Sequence, residues 1–290
     1  MPELPEVQTI VNELNLKIKG NVINNVWTSK ENLIRNISFD KFKKEIKGKK
    51  ILNIQRRAKY IIFELSDNYI LLVHLKMTGH FLLGKWNIEG GKANPIIEGP
   101  IKTDRYNQHV HIIFYLDQEK ELGFSDVRQF GKIELYTKEE FKNVKEINKL
   151  GVEPLTKEFT FDCFKSIIKN TKTNIKKLLM DQEKIAGIGN VYASEILFLA
   201  KINPLRNTKT LNELELKNIY DAIKIILNKA LKFQGNSISD YRKVDGKKGD
   251  YQNHALVYGK RGENCPNCEG KIKYVKINQR GTFYCPLCQK

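Results

Sequence analysis

The spacing of apolar positions changes three times along this 290-residue chain. Near the amino terminus Val7, Ile10, Val11, Leu14 and Ile18 recur at three- and four-residue intervals. That spacing predicts one amphipathic helix, starting after Pro5 and ended by Gly20. From residue 22 to residue 136 the texture is that of strands. Segments 51–54, 60–65, 70–75, 109–116 and 132–136 are apolar or alternating, with Gly, Asn and Asp between them. A β-rich domain follows, for which a sandwich is one solution. Residues 87–104, with Gly and Pro throughout, read as a long surface loop. At Thr137 the pattern turns helical, because Thr137 and Glu140 have the spacing of a capping box. Residues 151–160 read as a linker or its end, and helices dominate beyond 161. A second capping box, Thr210 with Glu213, opens a long helix through Leu214, Ile219, Ile223, Ile226, Leu227 and Leu231, stopped at Gly235. Residues 237–253 are polar, charged and Gly-containing, and read as a mobile loop. The class is therefore α+β and multidomain, divided at 1–136, 137–160, 161–253 and 254–290.

Charge narrows the choice of partner. The chain has 50 Lys+Arg against 33 Asp+Glu, a formal net charge of +17. A positive field of that size attracts polyanions, nucleic acid first and an anionic membrane surface second. An AT-rich coding bias toward Lys, Asn and Ile is the plainer source of the same charge. No apolar stretch is long enough for a membrane span. Glu3 and Glu6 stand where a signal peptide would be basic and then apolar. A cytoplasmic protein is the expectation, and there five cysteines suggest metal rather than disulfides.

Four of those cysteines form two knuckles, Cys265-Pro-Asn-Cys268 and Cys285-Pro-Leu-Cys288, sixteen residues apart. Thiolates at this spacing surround one Zn²⁺ tetrahedrally. Segments 271–277 and 282–284 alternate like the strands of a hairpin, with Asn278-Gln279-Arg280-Gly281 as its turn. A turn arginine is usually only solvated, but at the tip of a metal-held hairpin Arg280 is well placed to grip phosphate. Cys163 lies outside the module and reads as a small core residue. Upstream, Gly187 and Gly189 separate two helical patterns. They serve either a tight connection or a phosphate cradle of backbone N–H groups.

Pro2 is the sharpest chemical feature. With Met1 removed it presents a secondary amine, and an α-amino group titrates near about 7.7–8.0, so a useful neutral fraction exists at pH 7. Such an amine can attack an aldehydic sugar carbon and form an imine. Glu3 and Glu6 lie close enough in sequence to move protons.

Met1-Pro2-Glu3-Leu4-Pro5-Glu6-Val7 resembles the opening of formamidopyrimidine-DNA glycosylases. The resemblance continues in order through Arg56-Arg57-Ala58-Lys59-Tyr60, His74-Leu75-Lys76-Met77-Thr78-Gly79 and Asp126-Val127-Arg128-Gln129-Phe130-Gly131. Two further motifs, residues 187–195 and 279–285, complete it. The resemblance implies an amino-terminal catalytic β-sandwich with flanking helices, a helix–two-turn–helix domain with a lesion-capping loop, and a zinc-finger β-hairpin. DNA would lie between the halves.

The implied activity is excision of oxidised purines from duplex DNA, followed by strand cleavage from a Schiff base. Pro2 would attack C1′, Glu3 would handle protons, Glu6 would belong to the site, and Lys59 would serve the lesion strand. His74, Asn190, Tyr258 and Arg280 would hold phosphates around the extruded nucleotide. Met77, Arg128 and Phe130 would fill the stack it vacates, with Arg128 pairing with the estranged cytosine. One structural Zn²⁺ and a monomer are expected. Two departures stand out: Asn107-Gln108-His109 replaces a usual His-x-His, and Gln234-Gly235-Asn236-Ser237 replaces two glycines followed by hydroxyl residues. The rival readings are a pyrimidine-specific relative, against which Leu4 and Arg128 argue, and a zinc protein that only binds damaged DNA. A metal-dependent nuclease would need a carboxylate cluster that the sequence does not offer.

Overall fold

The computed structural model describes all 290 residues, which divide into two compact units. The first comprises Met1–Asn148 and Phe233–Gln252, the second Lys149–Lys232 and Asn253–Lys290.

The first unit opens with α1 (Leu4–Ile18), whose capping box joins Glu3 and Glu6 and whose apolar face buries Val7, Ile10, Val11, Leu14 and Ile18. There follow β1 (Ile23–Thr28), α2 (Phe39–Ile46), β2 (Ile51–Arg57), β3 (Tyr60–Leu65), β4 (Tyr69–His74) and β5 (His80–Gly84). A small hairpin, β6 (Trp86–Glu89) and β7 (Lys92–Pro95), and a short α3 (Pro100–Thr103) come next. The unit continues with β8 (Val110–Leu116), β9 (Glu121–Ser125), β10 (Lys132–Thr137), α4 (Lys138–Phe141) and α5 (Lys145–Asn148). Two four-stranded antiparallel sheets result, ordered β1-β8-β9-β5 and β10-β4-β3-β2. Their inner faces meet in one core, where Phe63 of one sheet touches Phe81 of the other edge-to-face at 5.7 Å. The strict in–out alternation of β3 matches a sheet with one covered face.

The expected long loop at 87–104 instead contains the β6–β7 hairpin. It survives because Trp86, Ala93 and Ile101 bury a second small core with Val110 and Ile113. Segment 237–253, whose composition suggests a mobile loop of the helical region, packs with the sandwich unit. Tyr241 and Val244 enter the main core, and carboxylates of α1 hold the backbone at and just before it: Glu13 accepts from Val244 N–H at 2.8 Å and Glu6 from the preceding Asn236 N–H at 2.8 Å. Arg242, 2% exposed, pairs with Asp104 at 2.7 Å.

The second unit contains α6 (Phe161–Lys169), α7 (Ile175–Leu179), α8 (Asn190–Leu199), α9 (Glu213–Lys232) and the hairpin β11 (Lys273–Ile277) and β12 (Arg280–Tyr284). The expected linker at 151–160 starts as a docked segment: Gly151 N–H donates to Gln182 at 2.8 Å, and a Cβ there would lie 2.3 Å from the Lys184 carbonyl oxygen. The long helix is capped two residues later than expected. Asn212 and Glu215 exchange the reciprocal side-chain bonds, both at 2.9 Å, while Thr210 ends a short 3₁₀ turn. Asn212 can reach the free N–H groups of the first turn, whereas Thr210 hydrogen-bonds Asn207. Cys163 is half-buried on α6 rather than in the core.

Candidate functional site

In the first unit the chemistry gathers at the start of α1. Pro2, Glu3 and Glu6 are all buried. Glu6 Oε2 accepts from Glu3 N–H at 2.7 Å while its Oε1 takes the Asn236 N–H, so one carboxylate holds both the amino terminus and segment 233–252. A Cβ on Gly235 would come within 2.8 Å of the Glu6 side chain, and its φ of +84° suits glycine alone. This explains on structural grounds why a glycine precedes Asn236.

Lys59, 5% exposed, lies in the two-residue turn between β2 and β3. Ala58, before it, has a φ of +52°, a left-handed conformation that an L-residue pays for in strain. Arg56 ties the turn down by donating to the Ala58 carbonyl and to Gln8 of α1, both at 3.0 Å. His74, at the end of β4, stands edge-on to Tyr60 at 4.5 Å. Burial, then the charges of Lys76, Lys59 and Lys132, push its pKa down to about 3. Its Nδ1 accepts the Lys76 N–H at 2.9 Å, which leaves the single proton of the neutral ring on Nε2 as a donor.

Met77 is half-buried, and Arg128 and Phe130 are exposed, the guanidinium lying 4.7 Å above the Phe130 ring. An exposed phenylalanine beside an exposed arginine is not core packing. The turn that carries them is built by a residue whose role the sequence pattern does not disclose. Asp126, fully buried, accepts from Gly131 N–H at 2.7 Å, from Arg128 N–H at 3.3 Å and from the Thr78 hydroxyl. Asn107 is wholly buried rather than placed to contact phosphate, because its amide serves two backbone carbonyls.

In the second unit Asn190, Tyr258 and the hairpin come together. Asn190 opens α8 and donates to the Gly281 carbonyl at 2.9 Å and to the Tyr258 hydroxyl at 3.3 Å. Gly187, at φ +92°, turns the chain just before that helix. Two buried charged residues, equally silent in the sequence pattern, fix this corner. Glu195 takes N–H bonds from Leu256, Val257 and Tyr258 at 2.7, 2.9 and 2.8 Å. Lys176, 1% exposed, donates to Thr282 at 2.7 Å and Ser194 at 3.2 Å. The only hint in the sequence is a charge inside an apolar run. The hairpin turn is tighter than expected: Asn278 and Gln279 alone form it, both at positive φ, and Arg280 already belongs to β12. Arg280 is exposed beside a hollow of about 250 Å³ that Lys177 and Met180 also line.

The four cysteine sulfurs lie within 4.8 Å of one another, with Cys265–Cys288 at 3.7 Å and Cys268–Cys285 at 3.6 Å. A tetrahedron with metal–sulfur bonds of about 2.3 Å has edges of roughly 3.8 Å, so the cluster fits a tetrahedral thiolate-bound ion.

Residues 1–133 match the model of the formamidopyrimidine-DNA glycosylase N-terminal domain, residues 150–242 that of the formamidopyrimidine-DNA glycosylase H2TH domain, and residues 262–290 that of a zinc finger found in FPG and IleRS. The formamidopyrimidine-DNA glycosylase of Pelotomaculum thermopropionicum is 39% identical over 100% of this chain and 99% of its own. Among solved structures, the Lactococcus lactis Fpg in complex with abasic-site DNA is 36% identical, covers 99% of both chains and superposes with a TM-score of 0.86. The same protein with Fapy-dG-containing DNA is 35% identical over 99% of this chain and 100% of that one, with a TM-score of 0.85.

Proposed function

Because the chain belongs to the formamidopyrimidine-DNA glycosylase family and acts as a glycosylase on damaged DNA, we propose that it removes oxidised purines, 8-oxoguanine and formamidopyrimidines, from duplex DNA through a Schiff base on Pro2. The observation that carries this reading is the buried Pro2 just before α1, with the two enclosed carboxylates of Glu3 and Glu6 beside it in the chain.

With Met1 removed, the neutral Pro2 amine bonds to C1′ as the glycosidic bond breaks, and the departing base takes up a proton. The nitrogen then gives up its proton and the C1′–O4′ bond breaks, O4′ leaving as a hydroxyl of the opened sugar. The iminium so formed acidifies the C2′ and then the C4′ protons, and their loss expels the 3′ and then the 5′ phosphate by β- and δ-elimination. Glu3 moves protons during these steps. Glu6 holds the amino terminus through the Glu3 N–H and, through Asn236, segment 233–252, which covers the extruded base. Lys59 serves the lesion strand. His74 donates to phosphate from Nε2 without needing a charge, and Asn190, Tyr258 and Arg280 complete the grip on the backbone. Met77, Arg128 and Phe130 occupy the vacated stack, offsetting an extrusion cost of a few kcal/mol.

The four cysteines hold one Zn²⁺, and its role is structural because they leave no coordination position open. The protein acts as a cytoplasmic monomer. No helix is long and apolar enough to cross a membrane.

The test is borohydride reduction in the presence of an 8-oxoguanine:cytosine duplex. A covalent adduct that maps to Pro2 and is absent in Pro2→Gly is expected. Trapping by oxidised pyrimidines alone would transfer the protein to the pyrimidine-specific branch. Binding without any adduct, in protein shown by mass spectrometry to lack Met1, would refute the amine mechanism.

A further inference from the structure

A chain of enclosed hydrogen bonds runs through the first unit, and the chemistry above does not use it. Thr78 is 4% exposed, and His80, Asn107 and Asp126 are completely buried. At one end Asp126, with the Thr78 hydroxyl, shapes the turn that carries Arg128 and Phe130. At the other, Asn107 Nδ2 donates to the Pro100 carbonyl at 2.8 Å and to the Gly246 carbonyl at 3.0 Å, the latter within segment 233–252. His80 joins the two halves, with Nδ1 3.1 Å from the Thr78 carbonyl oxygen and Nε2 3.0 Å from Asn107 Oδ1.

The orientation of Asn107 is settled by its neighbours. Only its amide nitrogen can serve two carbonyls, so its oxygen must face His80. Both groups facing the ring are therefore acceptors. A neutral imidazole has one N–H, and burial lowers the His80 pKa, which keeps the ring neutral at pH 7. One proton is thus shared between two sides. On Nε2 it secures Asn107 and the Gly246 end; on Nδ1 it secures Thr78 and the turn of Arg128.

We propose that His80 is a positioning residue that couples the Arg128–Phe130 turn to segment 233–252, so that ordering at one is felt at the other. The proposal rests on the reading that the turn fills the vacated stack while the segment covers the extruded base. Excision of a lesion needs both elements in place. Strand cleavage at a pre-formed abasic site has no base to cover and draws chiefly on the amino-terminal amine.

The test compares these two rates in the full-length protein, in His80→Leu and in His80→Gln. Leucine fills space without donating, whereas the glutamine amide can still donate toward Asn107. His80→Leu is expected to lower 8-oxoguanine excision about tenfold relative to abasic-site cleavage, the equivalent of one buried hydrogen bond, and His80→Gln to restore most of the loss. A folded His80→Leu whose ratio stays within about twofold of the parent overturns the proposal, and so do leucine and glutamine variants impaired alike. Should His80→Leu fail to fold, Thr78→Val cuts the chain one link further on and must lower the same ratio; an unchanged ratio overturns the proposal there too. If the parent excises no oxidised purine, the substrate reading fails on its own, and the ratio is taken on an oxidised pyrimidine instead.

Discussion

Replacing Glu195 by glutamine should destabilise the second unit and leave the first untouched. Glu195 is fully buried in α8, and its carboxylate receives three backbone N–H groups from residues 256–258. Hydrogen bonds to a charged acceptor contribute roughly 1.5–3 kcal/mol each, about twice a neutral one. In Glu195→Gln one oxygen can keep the Val257 and Tyr258 bonds at neutral strength. The amide nitrogen then faces the Leu256 N–H, donor against donor, and strands a buried group at a further cost of about 1–3 kcal/mol. The total loss is at least about 4 kcal/mol. With a urea dependence of about 1–3 kcal/mol per molar, the midpoint of the second unit falls by at least about 1 M.

Both tryptophans, Trp27 and Trp86, lie in the first unit, so their emission serves as an internal control. Hydrogen exchange at the Leu256, Val257 and Tyr258 amides, followed at rising urea, reports on the second. Faster exchange at those amides, with the tryptophan transition unmoved, is expected. A midpoint shift below about 0.3 M would refute the reasoning, since it would mean the carboxylate contributes less than a single neutral hydrogen bond.

Stability should also depend on pH through His74. Its folded pKa, pushed down to about 3 first by burial and then by Lys76, Lys59 and Lys132, lies below the unfolded value near about 6.5. The unfolded chain therefore binds the extra proton, and the contribution is complete above about pH 6.5 and is lost as pH falls toward 3, by up to about 1.4 kcal/mol per unit. His74→Asn should flatten the stability profile in that window, as urea titrations at several pH values would read. Arg128→Ala, at an exposed position, should change stability by less than about 1 kcal/mol yet weaken discrimination among opposite bases about tenfold, measured as excision opposite each of the four bases. Gly151→Ala places a methyl group 2.3 Å from the Lys184 carbonyl oxygen and should destabilise the second unit by about 1–3 kcal/mol; an unshifted thermal midpoint would count against that packing. Stripping the metal from the cysteine module should weaken DNA binding, since Arg280 projects from its hairpin, and full affinity in demetallated, folded protein would contradict this.

Features coded by local spacing are legible in the sequence alone. α1 follows from the periodicity of Val7 to Ile18, and the metal module from two cysteine pairs, because neighbours along the chain hold the relevant atoms together. The strand-rich character of residues 22–136 is likewise foreshadowed by pattern, whereas the exposure of Phe130 beside Arg128 is not, since an isolated phenylalanine reads as core. Expectation and structure part where two local signals compete. Thr210 and Asn212 each precede a glutamate by three residues, and only the path of the chain determines which of them meets the first turn of α9.

The amino-acid order by itself determined which faces are apolar, where helices can start, and which cysteines can share an ion. Tertiary structure alone decided that segment 233–252 belongs with the sandwich, that Asn107 is an internal strut, and that Glu195, Lys176, His80 and Asp126 hold the positions of other residues. The reason is that periodicity records whether an apolar side chain is buried and is silent about a polar one. A buried glutamate and a solvated glutamate are the same letter, and what separates them is a partner 61 residues away from Glu195, or 230 residues away from Glu6. Hydrogen-bond donors are matched to acceptors by distance in space, and that matching exists only once the chain has folded.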